Sequence, residues 1–525
     1  MNGMDFKLTY ATEKGTYTAL KTDTRVVLDI YEDGMRTAIA VFAREPVTLL
    51  SATIAVPHAY AQDERIFVNG YQSWTDTREY AAGESLNDIM RLPKFLVNMF
   101  SLDGYGDSAF KQYRKKVLHG YDISWAKDFF IGSFNSASAY LIINHDVPEN
   151  RIVLESDISG LHLEAGGSIC LFNYTTDRDF FMNAYPEKDI PDILGYTSWY
   201  NWYEDIDEHK ILSALDGIGD PFELFQIDDG YETAVGDWMS VDPVKFPNGL
   251  EGIVRKIHDK GLKAGIWLAP LAAESKSRVY REHPDWFFDW KAGGNWSGFY
   301  GLNSDSEEAM QYMEDCLRHY ADMGFDFFKL DFLYAVNPRK ITTRTRAQTT
   351  QQAYERIRRA LPDKLILGCG AMIMNSTLFD YLRIGPDVSL KFDDVWYMKY
   401  MHRERISTRV TLQNTIYRSF MDKRLFGCDP DVFILRNENN SLSEAQKEAL
   451  ITINALFGSV LMTSDDVSAY TAEQQALFAK ALSLRKATDR SYSCTDGRHI
   501  CISYTLYGQK HCLTYDTKKG ILQEV

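Results

Sequence analysis

Residues 325–333 have the sequence FDFFKLDFL, a nearly continuous apolar run that carries Lys329 and Asp331 at its end. Such runs are typical of a strand buried on both faces, as in a parallel sheet. A carboxylate at the end of a buried strand loses hydration, which is unfavourable unless it serves a purpose. Asp331 is therefore our first candidate for a catalytic residue. Taken alone, the stretch also allows an Asp that caps the next helix or pairs with Lys329 for structure.

Similar strands, each followed by a helical segment, recur on both sides of this stretch. Apolar periodicity predicts helices at residues 206–216, 249–260, 306–323, 349–360 and 406–421. Strands alternating with helices over roughly 280 residues indicate a parallel sheet. About eight such units fit, which favours a closed (β/α)8 TIM barrel over an open doubly wound sheet. No GxGxxG or P-loop pattern opens a helix, which disfavours nucleotide binding.

The regions before and after the predicted barrel have a different pattern. Short β-like runs separated by turns predict an N-terminal β-sandwich over residues 1–190. The barrel is then expected at 191–468, and a small C-terminal β-domain at 469–525. Residues 69–74, NGYQSW, are too polar and aromatic for a plain strand, and we interpret them as a loop that exposes Tyr71 and Trp74. The alternative is a turn whose aromatic rings pack into the sandwich.

Composition limits the kind of partner and the compartment. A net charge of -16 argues against nucleic acid as the main partner. No apolar run approaches the roughly 20 residues that cross a bilayer, and Met1–Lys7 shows no secretory signal. The seven cysteines are scattered and include no CxxC pair, which predicts reduced thiols in a cytoplasmic protein and no zinc site.

The chemically interesting residues fall at the ends of successive predicted strands. Strand ends on one face of a barrel converge on a single pocket. Each residue alone has a structural explanation, such as a cap, a surface ion pair or a core position, but a common location by chance is much less expected. No His–Cys cluster for a metal accompanies them. The residues are Trp199, Asp228, Asp229, Trp267, Lys329, Asp331, Cys369, Arg383 and Asp387.

Such a pocket suits the hydrolysis of a glycosidic bond, which needs two carboxyl groups. Asp331 beside the cationic Lys329 should stay ionised, as a nucleophile must. Asp387 follows a rigid Gly-Pro turn nearer solvent, which suits the acid/base role. Asp228 and Asp229 remain as acceptors for sugar hydroxyls. Arg383 and Lys329 would donate to hydroxyls, and indoles could pack on the sugar ring; the candidates for that are Trp199 and Trp267.

The chain resembles glycoside hydrolase family 36, the α-galactosidases of the clan with a retaining barrel. The resemblance rests on residues 69–74, 195–202, 225–231, 265–270, 329–331, 368–370, 383–387 and 429–431. It implies that Asp331 is the nucleophile, that Asp387 is the acid/base, and that Asp228 and Asp229 bind the galactose O4 and O6 hydroxyls. The other implied substrate-binding residues are Trp74, Trp199, Tyr200, Trp267, Lys329, Cys369 and Arg383.

Two departures from the family pattern leave alternatives open. The stretch after Asp387 is unusually charged, so Asp393 or Asp394 is a rival for the acid. Residues 427–428, Gly-Cys, stand where an Asn-bearing segment is expected. We predict a retaining exo-α-galactosidase that needs no cofactor and acts on oligosaccharides with a terminal α-galactose, and the resemblance makes a homo-oligomer plausible.

Three alternative functions are also considered. The first is a related α-glycosidase, such as an α-N-acetylgalactosaminidase, which needs space for an N-acetyl group near the sugar O2. If Cys369 lies near O2, a bulky side chain there would exclude that group. A sugar-binding pseudoenzyme on the same fold is disfavoured because both carboxylates are present. An NAD-dependent glycosidase lacks a dinucleotide fingerprint.

Overall fold

The computed structural model describes residues 5–86, 107, 114–395, 403–494 and 496–525. The first four residues, on which the expectation about a secretory signal partly rests, lie outside this range. None of the described helices is both long and apolar enough to cross a membrane.

Two antiparallel sheets form the N-terminal part of the chain. Strand Asp5–Thr12 shows why they pack: Phe6, Leu8 and Tyr10 are buried while Asp5 and Lys7 are exposed, as expected for alternating side chains. In pairing order, the first sheet contains Gly15–Ala19, Asp5–Thr12, Val47–Pro57, Arg151–Ser156, Leu141–Asp146 and Val117–Tyr121, with His162–Leu163 beside Val47–Pro57. The second contains Val26–Glu32, Thr37–Ala43, Ser168–Thr175, Phe129–Ser133, Ile123–Ala126, Arg65–Val68 and Arg78–Ala81.

These two sheets share one apolar core, to which Leu8 and Ile54 of the first sheet and Val41 and Phe172 of the second contribute. Their burial explains why the short runs fold as strands that cover one another. The short β-like runs predicted for this region are strands in the structure, for example Ser168–Thr175.

The central part is a sheet of nine strands in which every pairing is parallel. Both ends of the strand order come from one short segment, residues 427–433, which is interrupted by Pro430 and Asp431. The order is Gly427–Asp429, Tyr381–Arg383, Leu365–Gly368, Phe327–Leu330, Lys263–Leu268, Leu224–Ile227, Ile193–Thr197, Val460–Thr463 and Val432–Phe433.

Strand register already aligns several site residues. Trp267 is the register partner of Lys329 on the neighbouring strand. Arg383 is the partner of Asp429 in the same way. Since aligned residues of parallel strands project to the same side, each pair is brought together by the sheet itself.

Helices connect the parallel strands, and short polar side chains cap their first turns. Ser306, Thr345 and Ser407 each accept a hydrogen bond from the backbone at the start of a helix. The helices are Arg178–Asn183, Trp199–Trp202, Glu208–Gly217, Glu251–Asp259, Arg278–Glu282, Glu307–Met323, Arg346–Ala360, Thr408–Arg418, Glu444–Phe457 and Ala472–Leu484.

Helix Glu444–Phe457 and a three-stranded sheet are among the elements that were not predicted. Helix Glu444–Phe457 begins with a capping box made by Ser443 and Gln446, a signal that the sequence does contain. A three-stranded sheet is inserted between Lys263–Leu268 and Phe327–Leu330. Its strands are Ala272–Glu274, Phe299–Leu302 and Phe287–Gly293.

The C-terminal residues form a separate four-stranded antiparallel sheet. Its strands are Thr488–Cys494, His499–Leu506, Gln509–Asp516 and Ile521–Glu524. The exact bounds of the three predicted domains, 1–190, 191–468 and 469–525, stay predictions.

Candidate active site

The C-terminal ends of the parallel strands surround a cavity of about 570 Å³. Most of the predicted site residues line it, but Tyr200, Cys369 and Arg383 do not. The lining residues are Trp74, Trp199, Glu204, Asp228, Asp229, Trp267, Asn295, Trp296, Lys329, Asp331, Phe332, Pro386, Asp387, Ser389, Asp394, Glu404, Arg405 and Ile406.

Asp331 follows strand Phe327–Leu330 and is only 8% exposed. The indole Nε1 of Trp267 donates a hydrogen bond to its Oδ2 at 3.1 Å. The backbone N–H of Phe332 donates to its Oδ1 at 2.8 Å. Both oxygens therefore accept from neutral donors that fix the carboxylate at the cavity wall. Trp267 was predicted as an apolar face for the sugar, and in the structure it also holds this carboxylate.

Lys329 contacts Asp228 and not Asp331, which differs from the expected pairing. Its Nζ donates to Asp228 Oδ2 at 2.8 Å, and Gln226 Nε2 donates to the same oxygen at 2.6 Å. Burial alone would lower the pKa of Lys329, but the Asp228 carboxylate outweighs this and the net shift is upward. Lys329 and Asp228 thus line the cavity as an ion pair. Residues two apart project from the same face of a strand, so Lys329 and Asp331 both line the cavity, although the Lys329 amine donates to Asp228.

Asp229 is held by a residue that was not predicted. The indole Nε1 of Trp296 donates to Asp229 Oδ2 at 3.0 Å. Trp296 lies in the loop between the inserted strands Phe287–Gly293 and Phe299–Leu302. Burial raises the pKa of Asp229 well above its ordinary value, and the nearby Glu232 raises it further.

Arg383 lies behind the cavity wall, 3% exposed, and its guanidinium contacts three carboxylates. Nη1 donates to Asp387 Oδ1 at 2.9 Å, Nε donates to Asp429 Oδ2 at 3.1 Å, and Nη2 lies 2.8 Å from Asp431 Oδ1. These four residues are called the Arg383 cluster below. Arg383 was predicted to donate to sugar hydroxyls, but its nitrogens face these carboxylates.

Asp387 is the member of the Arg383 cluster that reaches the cavity. Its side chain is 32% exposed, against 3% for Arg383. Enclosure by protein raises the pKa of the Asp387 carboxyl, and although Arg383 and Lys329 lower it, the net shift is upward. A carboxyl that retains its proton more readily than usual suits a general acid.

Asp431 supports Asp387 from behind. Burial raises its pKa to about 7, with the neighbouring Asp387 and Asp429 also raising it against the opposing effect of Arg383. The hydroxyl of Tyr200 donates to Asp431 Oδ2, and the N–H of Val388 donates to the same oxygen at 2.7 Å. Tyr200 was predicted to bind substrate, whereas the structure places it in this supporting position.

Trp74 enters the cavity from the N-terminal part of the same chain. Its Nε1 donates to Cys369 Sγ at 3.3 Å, and its ring meets Phe332 edge to face at 5.2 Å. Gly370 has φ +56°, and a Cβ there would come within 2.9 Å of the Trp74 ring. Cys369 therefore lies behind Trp74, and the surface facing the cavity at this point is the indole.

The loop that carries Trp74 is buried, which corrects the expectation that Tyr71 and Trp74 are exposed. Tyr71 is 3% exposed and Trp74 is 8% exposed. Arg418, on helix Thr408–Arg418, donates to Asn69 Oδ1 at 3.1 and 3.2 Å and to the carbonyl of Gln72 at 3.2 Å. The loop thus lies between the two regions: Tyr71 packs against Tyr121 of the first N-terminal sheet, with ring centroids 5.2 Å apart, while Arg418 holds the loop on the region of the parallel sheet.

The two rival acids occupy different positions. Ser407 Oγ donates to Asp393 Oδ1 at 2.8 Å, and Arg405 and Arg409 lie 3.5 and 3.4 Å from its carboxylate. Asp393 is not among the cavity-lining residues, whereas Asp394 is. Asp394 is therefore the rival that the geometry leaves in place.

Several lining residues were missed by sequence reasoning. Asn295 and Trp296 come from the insertion, where the sequence GGNWSG at 293–298 gives a signal only as an aromatic residue among glycines. Glu204, Glu404 and Arg405 are polar loop residues that no periodicity distinguishes. Within the described ranges, no group of three or more His, Cys, Asp and Glu side chains is arranged to hold a metal.

Known proteins resemble this chain in sequence and in fold. Residues 172–362 match the Melibiase family. The α-galactosidase 1 of Pediococcus pentosaceus is 36% identical over 261 residues, which cover 45% of this chain and 33% of that protein. The α-xylosidase XylQ of Lactiplantibacillus pentosus is 33% identical over 164 residues, which cover 27% of this chain and 20% of that protein.

A solved structure extends the likeness to nearly the whole chain. TtGalA, an α-galactosidase from Thermus thermophilus in complex with p-nitrophenyl α-D-galactopyranoside, superposes with a TM-score of 0.71 at 23% identity. The match covers 92% of this chain and 96% of that one. The two chains therefore share a fold, while the matched part of this chain spans a third or less of the length of the two curated relatives.

Proposed function

We propose that this chain is a retaining exo-α-galactosidase of glycoside hydrolase family 36, which is supported by its likeness to Melibiase over residues 172–362 and to known α-galactosidases. The observation that carries this proposal is the pair of carboxyl groups, Asp331 and Asp387, that line one cavity in different environments. Asp331 accepts from two neutral donors, while Asp387 has a raised pKa. Such a difference assigns the two roles that glycoside hydrolysis requires.

In the first step, an oxygen of Asp331 attacks the anomeric carbon. Asp387 gives its proton to the glycosidic oxygen, so that the aglycone leaves as a neutral alcohol. The Trp267 and Phe332 N–H groups hold Asp331 without neutralising it, which keeps it nucleophilic. The product is a β-galactosyl ester on Asp331.

In the second step, Asp387 acts as a base. It takes a proton from a water molecule, which attacks the anomeric carbon and releases Asp331. Two inversions restore the α configuration. Arg383 contacts Asp387 in the structure and stabilises its ionised form between the two steps.

The remaining wall suits recognition of a single terminal sugar. A cavity of about 570 Å³ lies within the usual range for small ligands. Asp228 and Lys329 would bind hydroxyls as a pair, and Asp229 would accept or donate beside Trp296. Trp199 is half-buried at the wall and offers an apolar surface to the ring.

The finer features of the fold belong to the same proposal. The two ends of the nine-strand order are adjacent in sequence, at Asp429 and Val432, which supports a sheet closed into a (β/α)8 barrel. Closure would gather the strand ends around the cavity. The β-sandwich and C-terminal β-domain would flank it at the predicted boundaries.

A nitrophenyl glycoside panel tests the substrate class. It should contain the α-galactoside, α-N-acetylgalactosaminide, α-glucoside, α-xyloside and β-galactoside, each assayed with wild type and Asp331→Ala. We expect turnover of the α-galactoside alone, nearly abolished in the variant, with sugar binding kept. Turnover of another glycoside would overturn the galactose assignment, and binding without turnover in wild type would indicate a sugar-binding protein.

Asp387→Asn separates the acid/base role from the nucleophile. We expect kcat/KM on an unactivated oligosaccharide such as raffinose to fall by about 10²- to 10⁴-fold. The kcat/KM on the nitrophenyl substrate should fall much less, because nitrophenolate leaves without needing a proton. An equal loss on both substrates would move the role to Asp394, and Asp394→Asn is the matched variant.

Two further assays address the mechanism and the setting. The first-formed sugar should be the α anomer by NMR, and a β anomer would exclude retention. A cytoplasmic location and a homo-oligomer stay predictions, to be checked by cell fractionation and by sedimentation.

A further inference from the structure

Asp229 and Glu232 form a second pair of buried carboxyl groups next to the cavity. Asp229 is 3% exposed and Glu232 is 7% exposed. The N–H of Gly230 donates to Glu232 Oε2 at 3.3 Å, and Gly230 has φ +113°, a conformation that favours glycine. This turn folds the chain back so that the Asp229 and Glu232 side chains are hydrogen-bonded to one another.

A hydrogen bond between two carboxyl groups requires a proton, because two carboxylates offer acceptors alone. Neither Asp229 nor Glu232 has an ion-pair partner in the described part of the chain, in contrast to Asp228 with Lys329. Two uncompensated negative charges in contact and out of water would be strongly unfavourable. The pair therefore holds one proton between its two members.

We propose that Glu232 is a positioning residue that shares this proton with Asp229, so that Asp229 meets the sugar as a neutral carboxyl. The inference rests on the proposed glycosidase function for its kinetic consequence, but not for the shared proton itself. A neutral Asp229 adds no charge to a cavity already lined by the carboxyl groups of Asp228, Asp331 and Asp387.

The surroundings decide which member keeps the proton. Burial raises the pKa of both carboxyls, but that of Asp229 rises further, and the hydrogen bond from Asp229 opposes the rise at Glu232. Lys245 also lowers the pKa of Glu232, and its Nζ donates to the Gly230 carbonyl at 2.8 Å. The charged or titratable groups that act on the pair are Glu204, Tyr231, Lys245 and Tyr320. Asp228 accepts from the Asp229 backbone N–H at 3.0 Å and is itself paired with Lys329.

The proton makes sugar binding sensitive to alkaline pH. Because the folded pKa of the pair is raised, the proton is bound below that pKa and lost as pH rises through it. The pair then carries two charges, which repel and displace Asp229 from Trp296. We therefore expect KM of wild type to rise with pH, while the pH dependence of kcat follows Asp387, a separate group with its own raised pKa.

Carbon-13 NMR of the aspartate carboxyl carbons tests the shared proton without an activity assay. The Asp229 signal is identified as the one missing from Asp229→Asn. In wild type we expect it to report a protonated carboxyl at neutral pH. In Glu232→Gln the midpoint should fall by at least about one pKa unit, a tenfold weaker hold on the proton. An ionised Asp229 in wild type, or an unchanged midpoint, would overturn the proposal.

The kinetic arm separates positioning from a merely structural role. In Glu232→Gln the rise of KM with pH should disappear, with kcat kept within a few-fold. Glu355→Gln, an exposed carboxyl on helix Arg346–Ala360, is the matched control and should keep the wild-type profile. If Glu232→Gln does not fold, Glu232→Asp should restore the pH dependence, and its absence there counts against the proposal.

The two arms also distinguish this inference from the proposed function. If no glycoside is turned over, the NMR titration still tests the pair. If glycosides are turned over and the titration midpoint does not move, the inference alone fails.

Discussion

Two groups of buried carboxyls border the cavity, and they are neutralised in different ways. In the Arg383 cluster, one guanidinium contacts Asp387, Asp429 and Asp431. In the Asp229–Glu232 pair, a shared proton takes the place of the cation. A guanidinium stays charged at any physiological pH, whereas a proton is lost as pH rises. The cation therefore suits the group that ionises and reprotonates in the proposed mechanism, and the proton suits a group proposed to bind the sugar.

Removing the cation should break the first group most severely. Arg383→Met leaves the three carboxyl groups without their cation, and losing one member of a buried charged cluster typically costs about 3–5 kcal/mol. We expect a large fall in urea stability and, in any folded enzyme, a large fall in kcat because Asp387 is no longer held.

Arg356→Met is the matched control for this prediction. Arg356 also bridges two carboxylates, Glu307 and Glu314, but it lies away from the cavity-lining residues. The Arg356→Met variant should be less stable than wild type but should have the same kcat. A similar kcat in both variants would mean that Arg383 does not position Asp387.

Titration of Asp431 should give a moderate effect on stability. Its pKa is about 7 in the folded chain and about 3.9 when unfolded, so the folded state binds the extra proton between these values. Stability therefore falls as pH rises from about 4 to about 7, by at most about 1.4 kcal/mol per pH unit, and levels off above.

Asp431→Asn should flatten that decline. The thermal midpoint of wild type and variant, measured between pH 5 and pH 8, checks it, with the exposed Asp363→Asn as the control. Asp387, whose pKa is also raised, should leave part of the slope. An unchanged slope in Asp431→Asn would assign the proton to another member of the Arg383 cluster.

The smallest effect should come from the second group. Trp296→Phe keeps the ring and removes the N–H that donates to Asp229. A neutral hydrogen bond contributes about 1 kcal/mol, so we expect KM to rise about fivefold with kcat nearly unchanged. Trp290→Phe, on the same inserted sheet and outside the cavity, should leave KM as in wild type. A fall in kcat instead would place Trp296 nearer the reacting atoms.

Cavity residues that directly follow an apolar strand could be predicted from the sequence, because burial of a strand and exposure of its end can be inferred from the local sequence pattern. Asp228 and Asp331 were found in this way. The same logic could not show that Arg383 faces inward, since its partners Asp429 and Asp431 lie on another strand segment. It paired Lys329 with the nearest carboxylate in sequence, whereas the sheet register brings Asp228 to it.

Residues contributed by insertions were beyond prediction for another reason. Trp296 reaches the cavity because the strands Phe287–Gly293 and Phe299–Leu302 pair outside the parallel sheet. Trp296 does not follow a strand of the parallel sheet, so the pattern that identified the other site residues does not apply to it. The loop with Trp74 was recognised as unusual, but its packing partner, Arg418, is too distant in sequence to be inferred.

The contact between Trp74 and Gly370 has a consequence for the evolution of proteins with this domain arrangement. Part of the pocket wall is supplied by a loop far upstream of the first parallel strand, and Arg418 anchors that loop to the region of the parallel sheet. Exchange of the N-terminal sheets between relatives would thus exchange a piece of the pocket as well. If the proposed function holds, substrate choice is in this way inherited partly from a region outside the parallel sheet, and a fragment limited to that sheet would lack part of its pocket.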